Sequence, residues 1–216
     1  MADEATARLR YSNGAIILHW TIALLVIYNL TTGLLHDVLP KAAFQFHVSS
    51  GITILVLTVL RIIWRLTHKP PPFLPMAQWE KGLAHIVHFC LYLVMLAAPL
   101  TGWAMLSAHA DKPRPVIAGA PAAAPAKPYQ ILIWGLVPLP KLKPITDIAN
   151  RPDGAAKLKD AHATFEGRHE AIGFIFLGLL ILHIAGALKH QLIDRRRQLA
   201  RMGVGKTEAA HWDPAG

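Results

Sequence analysis

Four long apolar stretches, separated by polar and proline-containing segments, dominate the 216-residue sequence. The helices that they predict cover about 15–35, 47–65, 83–106 and 169–189. Each is long enough to cross the hydrocarbon core of a membrane, which takes about 20 helical residues. The fourth stretch is the clearest, because 18 residues between Glu170 and Lys189 include no Lys, Arg, Asp or Glu. The expected fold is therefore an all-α integral membrane protein, an up-and-down bundle of four transmembrane helices.

The segments around these stretches are polar or rich in proline. We expect three parts along the chain, an N-terminal segment, one helical domain and a polar tail, at 1–13, 14–193 and 194–216. The longest connection, 107–166, is rich in Ala and Pro around 113–128, so no regular structure is expected there. The apolar patch QILIWGLVPLP at 130–140 is too short to span a membrane, and we expect it to cover one end of the bundle.

Composition agrees with a membrane protein and excludes other classes. Hydrophobic residues make up 53% of the chain and charged residues 16%, whereas soluble domains have about 25% charged residues. The net charge of +9 comes largely from basic residues beside the apolar stretches. No basic groove interleaved with aromatic residues is found, so nucleic-acid binding is not expected. The single Cys90 excludes an intramolecular disulfide and any site built from several cysteines.

Basic residues in the short loops predict the orientation of the bundle. They are concentrated before the first stretch, between the second and third, and after the fourth: Arg8, Arg10, Arg65, Lys69, Lys81, Lys189, Arg195, Arg196 and Arg197. Cytoplasmic loops carry an excess of Lys and Arg. Both termini are therefore expected in the cytoplasm and the long connection outside. Arg61 interrupts the second stretch, and we expect its side chain to reach the headgroups.

Histidines inside the apolar stretches are the strongest functional signal, because ionisable side chains within a membrane usually have a function. His169 and His183 are 14 residues apart in the fourth stretch. A helix therefore places both on one face, roughly 21 Å apart along its axis. His19 lies at the depth of His183, on the cytoplasmic side, and His47 lies at the depth of His169, on the periplasmic side.

Two depth-matched pairs of imidazoles suit haem. A haem iron takes axial ligands from both faces of its macrocycle, and facing helices of a bundle can supply them. Two histidine ligands leave no open position for dioxygen, so such an iron passes single electrons. The alternative is that each histidine is a polar residue at a helix end or in a helix interface. Two pairs that share one helix favour haem, with His19 and His183 at one iron and His47 and His169 at the other.

His85 and His88 form a different pattern. They are three residues apart near the cytoplasmic end of the third stretch, so they lie side by side on a helix. They are candidates for a small metal site, a quinone pocket or the edge of the nearby haem. Interfacial histidines near the headgroups remain the alternative. No residue is assigned a catalytic role.

Sequence motifs in all four stretches resemble a known family. They are His19-Trp20, FHVSSGITILVLTVLRIIWR, GLAHIVHFCLYLVMLAAPLTGW and RHEAIGFIFLGLLILHIAGALKHQLIDR, in that order. With them the chain resembles the bacterial cytochrome b561 family, di-haem proteins of the inner membrane. The resemblance implies one haem b between His19 and His183, a second haem b between His47 and His169, and quinone as a partner.

The expected function is electron transfer across the inner membrane between a periplasmic donor and the quinone pool. Two redox alternatives remain, a superoxide oxidase that reduces ubiquinone and a cytochrome subunit of a dehydrogenase or hydrogenase. The segment from Ser107 to His169 has nine Lys and Arg against five Asp and Glu, a charge that would attract an anion. A histidine-based transporter of metal ions or protons is the non-redox alternative, but the four stretches hold no Asp or Glu apart from Glu170 at the border of the fourth. A structural subunit without cofactor is the last possibility.

Overall fold

The computed structural model describes residues 10–109 and 130–205. Four long helices lie in this part of the chain: α1 Asn13–Leu34, α2 Lys41–Thr67, α3 Gln78–Ala108 and α5 Gly154–Leu188. Between α3 and α5 lie the strands β1 Leu132–Ile133 and β2 Val137–Pro138, the short helix α4 Lys143–Thr146 and a 3₁₀ turn, Asp147–Asn150. A π-helical turn, Lys189–Ile193, extends α5, and the short helix α6 Gln198–Arg201 follows it.

Each long helix is long and apolar enough to cross a membrane. The predicted all-α class with four transmembrane helices is therefore confirmed. The helix bounds differ from the expected ones most at α5, which begins at Gly154 rather than near 169. Its 35 residues would measure roughly 50 Å, more than the hydrocarbon core of about 30 Å. The first four turns of α5 carry charged residues. A prediction from hydropathy therefore excludes these turns from the membrane span, although they belong to the same helix.

The helices pack in two pairs around a shared core. α3 lies along α5, and α1 lies along α2, while α1 and α5 hardly touch. A cluster of buried apolar side chains from all four helices fills the middle: Ile22, Val26, Ile54, Val87, Leu91, Val94, Met95 and Phe176. Large apolar side chains on the outside, such as Leu24 and Phe89, are exposed and suit contact with lipid. His19 faces His183, and His47 faces His169, in the gap where the two helix pairs meet.

We name the two ends of the bundle by what covers them. The hairpin end is the one near which β1 and β2 lie, and the terminal end is covered by α6 and by the residues before α1. At the terminal end, the Trp20 indole donates to the Met202 carbonyl (2.9 Å). The Tyr11 amide donates to the Arg201 carbonyl (3.1 Å), and the buried Arg201 side chain donates to the Pro72 carbonyl. The described residues before α1 and after α5 are thereby tied to the same end of the bundle.

The apolar patch at 130–140 forms the antiparallel hairpin of β1 and β2. Trp134 and Gly135 turn the chain with φ values of 53° and 73°, the left-handed region in which glycine is favoured. The Trp134 amide donates to the Ser49 hydroxyl (2.9 Å), and its indole donates to Thr53 Oγ1 (3.1 Å). The hairpin therefore packs against the side of α2.

Three predicted segments lie wholly or partly outside the described residues. They are the N-terminal segment, the Ala- and Pro-rich part of the long connection, and the polar tail, at 1–13, 113–128 and 194–216. Within the described part, α4 and the 3₁₀ turn occupy a region in which regular structure was not expected. Pro144 at the start of α4 favours a first helical turn there.

Candidate functional site

At the hairpin end, α2 and α5 direct one histidine each into the gap between the helix pairs. The ring centres of His47 and His169 are 6.1 Å apart, and the ring planes are inclined at 80°. Both rings are half-buried. The structure thus brings together the two histidines that the sequence paired by depth, and we call them the hairpin pair.

The Nδ1 atoms of the hairpin pair contact hydrogen-bond acceptors. The Thr32 hydroxyl donates to the Tyr28 carbonyl (2.9 Å), so its oxygen can accept from His47 Nδ1 at 3.0 Å. His169 Nδ1 donates to the Ala98 carbonyl (2.9 Å), with Thr101 Oγ1 beside it at 3.2 Å. With the hydrogen on Nδ1, the lone pair of each ring lies on Nε2. This is the arrangement that histidine ligands of metals usually have.

A glycine on α3 gives His169 its position. A Cβ atom at Gly102 would lie 3.2 Å from His169 Cε1, closer than ordinary van der Waals contact. A Cβ atom at Gly33 would lie 3.5 Å from His47 Cε1, which is an ordinary contact. The ring of His169 therefore depends on the absence of a side chain at position 102.

At the terminal end, α1 and α5 supply the second pair, His19 and His183. Their ring centres are 6.2 Å apart, with the planes inclined at 70°. We call them the terminal pair. His19 Nδ1 contacts Arg61 Nη1 at 2.9 Å, and the Trp20 ring lies 5.4 Å from the His19 ring. Arg61, predicted to reach the headgroups, instead turns into the bundle.

The spacing of both pairs suits two imidazoles on opposite sides of one metal. An imidazole–metal bond is about 2.0 Å long and the ring nitrogen lies about 1.2 Å from the ring centre, so the two centres would be roughly 6.4 Å apart. The observed 6.1 and 6.2 Å agree with this value. Hydrogen-bonded histidines without a metal would instead bring the two nitrogens to about 3 Å. The pairs therefore have the spacing of ligands rather than of a direct contact.

His85 and His88, adjacent on α3, face different neighbours. The His88 ring lies 5.1 Å from the ring of His183, inclined at 85°, whereas the His85 ring contacts Phe73 at 5.0 Å. Each Nδ1 donates to the carbonyl four residues earlier, which leaves Nε2 of His88 as an acceptor. Only His88 therefore lies beside the terminal pair.

Buried hydroxyl groups complete the interior. Thr58, one turn before Arg61 on α2, is fully buried, and its hydroxyl has no hydrogen-bond partner in the described part of the chain. An unpartnered hydroxyl in an apolar interior costs roughly 1–3 kcal/mol. A cofactor or a water molecule beside the Thr58 hydroxyl would supply the missing hydrogen-bond partner. The unpartnered hydroxyl supports a cofactor in the gap between the helix pairs.

One small group of metal-binding side chains lies at the terminal end. In residues 10–109 and 130–205, the group of three His, Cys, Asp or Glu residues close enough to share a small ion is Glu80, His190 and Asp194, with ligand atoms within 4.8 Å. The Lys189 ammonium bonds both Glu80 and Asp194, so a cation already occupies this position.

Comparison with known proteins identifies the family. The model of a family described as prokaryotic cytochrome b561 matches residues 10–205. The chain belongs to this family. The predicted resemblance is confirmed, and the protein is a multi-pass membrane cytochrome that binds haem b and transfers electrons.

Several curated relatives are similar to this cytochrome. The probable superoxide oxidase CybB of Yersinia pestis is 36% identical over 102 residues, which cover 45% of this chain and 58% of the relative. Cytochrome b561 homolog 2 of Escherichia coli (strain K12) is 26% identical over 207 residues, covering 93% of this chain and 94% of the relative. Cytochrome b561 homolog 1 of the same organism is 26% identical over 200 residues, covering 89% and 96%. This chain therefore spans little more than half of the Yersinia protein but nearly all of the other two.

The side chains of this cytochrome b561 fit haem. Both pairs have the ring spacing of axial ligands, and the hairpin pair also has the Nδ1 partners that such ligands need. Sequence reasoning missed the residues that hold the rings, Thr32, Ala98 and Thr101. No local signal marks them, because they lie on other helices than the rings they contact. Arg61 was visible as a charge within an apolar stretch, but its direction was not.

Proposed function

We propose that this cytochrome b561 holds two haems, one between His19 and His183 and one between His47 and His169. The observation that carries the proposal is the presence of two facing pairs of imidazoles at 6.1 and 6.2 Å. α5 contributes one histidine to each pair, and 14 residues separate the two, roughly 21 Å along the helix. Electrons that enter at one end of the bundle can thus be carried toward the other.

The side chains have defined tasks in this function. Haem with two imidazole ligands supplies a one-electron couple without an open position for dioxygen. Thr32 and the Ala98 carbonyl fix the ring planes of His47 and His169, which would leave each Nε2 available to hold a haem iron. Buried apolar side chains between the two pairs, such as Val26 and Leu91, exclude water from the interior.

We further propose that the terminal end faces the cytoplasm and that quinone reacts there. The basic residues beside this end support the orientation in the inner membrane. His88 supports the quinone position, because its Nδ1 contacts the Ala84 carbonyl, so that its Nε2 can take up a proton and pass it to a reduced quinone, and its ring lies 5.1 Å from His183. His85, whose ring contacts Phe73, would lie at the entrance of the quinone site. The hairpin end would then receive electrons from a periplasmic donor.

The donor at the hairpin end is best tested with superoxide. The similarity to a probable superoxide oxidase of Yersinia pestis favours superoxide oxidation coupled to ubiquinone reduction. A cytochrome subunit for a dehydrogenase or hydrogenase is the alternative.

The experiment is a pair of assays on one purified preparation. Superoxide is mixed rapidly with the oxidised protein, and the b-type α-band is followed with and without ubiquinone. Superoxide oxidation predicts a fast rise of the reduced band and turnover only when quinone is present. A protein that ubiquinol reduces but superoxide does not would favour the subunit alternative, and a protein without an α-band would contradict the haem proposal itself.

A further inference from the structure

Arg61 is a positive charge inside the bundle, and the described part of the chain offers it no carboxylate. Its Nε donates to the Tyr92 hydroxyl at 3.2 Å, and its Nη1 lies 2.9 Å from His19 Nδ1. Both partners are neutral groups. At the same end of the bundle, the carboxylates of Glu80 and Asp194 are bonded to Lys189. A buried or half-buried cation normally has an anionic partner, and here that partner is not a side chain.

The contact with His19 also conflicts with iron binding. A guanidinium has only donors, so the contact requires the lone pair on Nδ1 and leaves the hydrogen of a neutral ring on Nε2. His19 can bind a metal through Nε2 only when that nitrogen has its lone pair. His47 and His169 show no such donor, since their Nδ1 atoms contact acceptors. In the loaded protein, Arg61 must therefore have another partner beside His19.

We propose that this partner is a carboxylate of the haem held by His19 and His183, so that Arg61 anchors the haem of the terminal pair through its propionate. The inference rests on the proposed function, because it requires haem at this pair. Haem carries two carboxylates, and guanidinium groups bind carboxylates with two parallel hydrogen bonds. The Tyr92 hydroxyl, already bonded to Nε, holds the guanidinium at the edge of the site.

The test measures haem binding rather than turnover. Holoprotein is partly depleted by transfer of haem to apomyoglobin and is then reloaded with haem or with haem dimethyl ester, which lacks the carboxylate charges. Wild type should hold haem in the terminal pair roughly ten- to a hundredfold more tightly than the ester, the range for hydrogen bonds to charged groups. Arg61→Gln should abolish this preference, and Arg61→Lys should keep part of it. Arg65→Gln, four residues on and exposed, is the matched control and should behave as wild type.

Two results would overturn the proposal. The first is that Arg61→Gln retains the preference of wild type for haem over the ester. The second is that Arg61→Gln weakens the binding of both ligands equally, which would assign Arg61 to the His19 ring or to the fold. The haem of the hairpin pair serves as an internal reference, because its binding should not change. Failure of the proposed function can be told apart from failure of this inference. If the terminal pair binds no haem, wild type shows no haem signal that depends on His183.

Discussion

The two histidine pairs share one helix and nearly the same ring spacing, but their surroundings differ. The hairpin pair contacts neutral acceptors, the Thr32 hydroxyl and the Ala98 carbonyl. The terminal pair instead contacts the Arg61 guanidinium and a third histidine, His88. α5 thus sets the positions of both sites, whereas the other helices set their hydrogen bonding and charge. Two sites that look equivalent in the sequence are therefore expected to differ in redox properties, because neighbouring hydrogen bonds and charges tune the iron.

The two ends of the bundle are also held together differently. At the hairpin end, the Trp134 amide and indole bond the hydroxyl groups of Ser49 and Thr53. At the terminal end, the Lys189 ammonium joins Glu80 on α3 to Asp194 after the π-helical turn. Neutral hydrogen bonds thus attach the hairpin to α2, whereas the terminal end has ion pairs in addition to neutral hydrogen bonds. Acid should therefore affect the terminal end first.

The largest expected effect is loss of a whole haem signal. His47→Ala and His169→Ala should remove the same component of the reduced-minus-oxidised spectrum, because each takes one of the two axial ligands from one iron. His19→Ala and His183→Ala should both remove the other component. Redox titration of each variant identifies the component that is left. Loss of different components by two members of one pair would refute the pairing.

A smaller effect is expected where the acceptors of the hairpin pair are removed. Thr32→Val takes away the acceptor of His47 Nδ1, and loss of such a partner typically weakens metal binding about 10- to 100-fold. Thr101→Val should have less effect, since the Ala98 carbonyl still accepts from His169. Haem release to apomyoglobin measures both. Equal effects of the two variants, or an effect of either on the terminal haem, would contradict the assigned contacts.

A still smaller effect is expected from adding a methyl group beside each ring of the hairpin pair. Gly102→Ala should displace the His169 ring by a few tenths of an ångström, whereas Gly33→Ala meets His47 only in ordinary contact. Both changes raise helix propensity by about 1 kcal/mol, so the pair is matched. Electron paramagnetic resonance of the oxidised protein reports the angle between the ligand planes. Only Gly102→Ala should shift the signal of the hairpin haem.

The smallest effect compares the two ends of the bundle in acid. Hydrogen bonding from Lys189, with a contribution from His190, lowers the pKa of the Asp194 carboxyl. A lowered pKa stabilises the folded state above the ordinary value of about 4 and loses that stabilisation as pH falls through the lowered value. The protection of the π-helical turn Lys189–Ile193 against hydrogen exchange, measured relative to the intrinsic exchange rate at each pH, should therefore fall in this acidic range.

Asp194→Asn provides the control for this acid effect. At pH 6, the amide hydrogens of the π-helical turn should exchange faster in the variant than in wild type. In the acidic range the two rates should be about the same, because the carboxylate charge at position 194 is then absent from both proteins. The hairpin should show no such difference at any pH, since neutral groups hold it. An acid response of the hairpin equal to that of the turn would remove the distinction between the two ends.

The four spans and the two histidine pairs could be predicted because their signals are local. Hydropathy identifies a span, and a spacing of 14 residues between His169 and His183 determines their common face. The family motifs add the order of the spans. These features depend little on how the helices pack, so the sequence alone is enough to predict them.

Other features depend on tertiary contacts or on the membrane boundary and could not be predicted. The first turns of α5 are helical but polar, so hydropathy places the start of the span at 169 instead of Gly154. The inward direction of Arg61 follows from the positions of His19 and Tyr92 on two other helices. The hairpin of residues 131–139 depends on Ser49 and Thr53, more than 80 residues away.

The most direct test of two haems on one bundle is their number. The pyridine haemochrome assay on purified protein, combined with amino-acid analysis for the chain concentration, gives the ratio of haem b to polypeptide. Two haems per chain, falling to one in His169→Ala and in His183→Ala, is the predicted result. One haem per chain in the wild type, lost completely in either variant, would contradict the account of two sites that share α5.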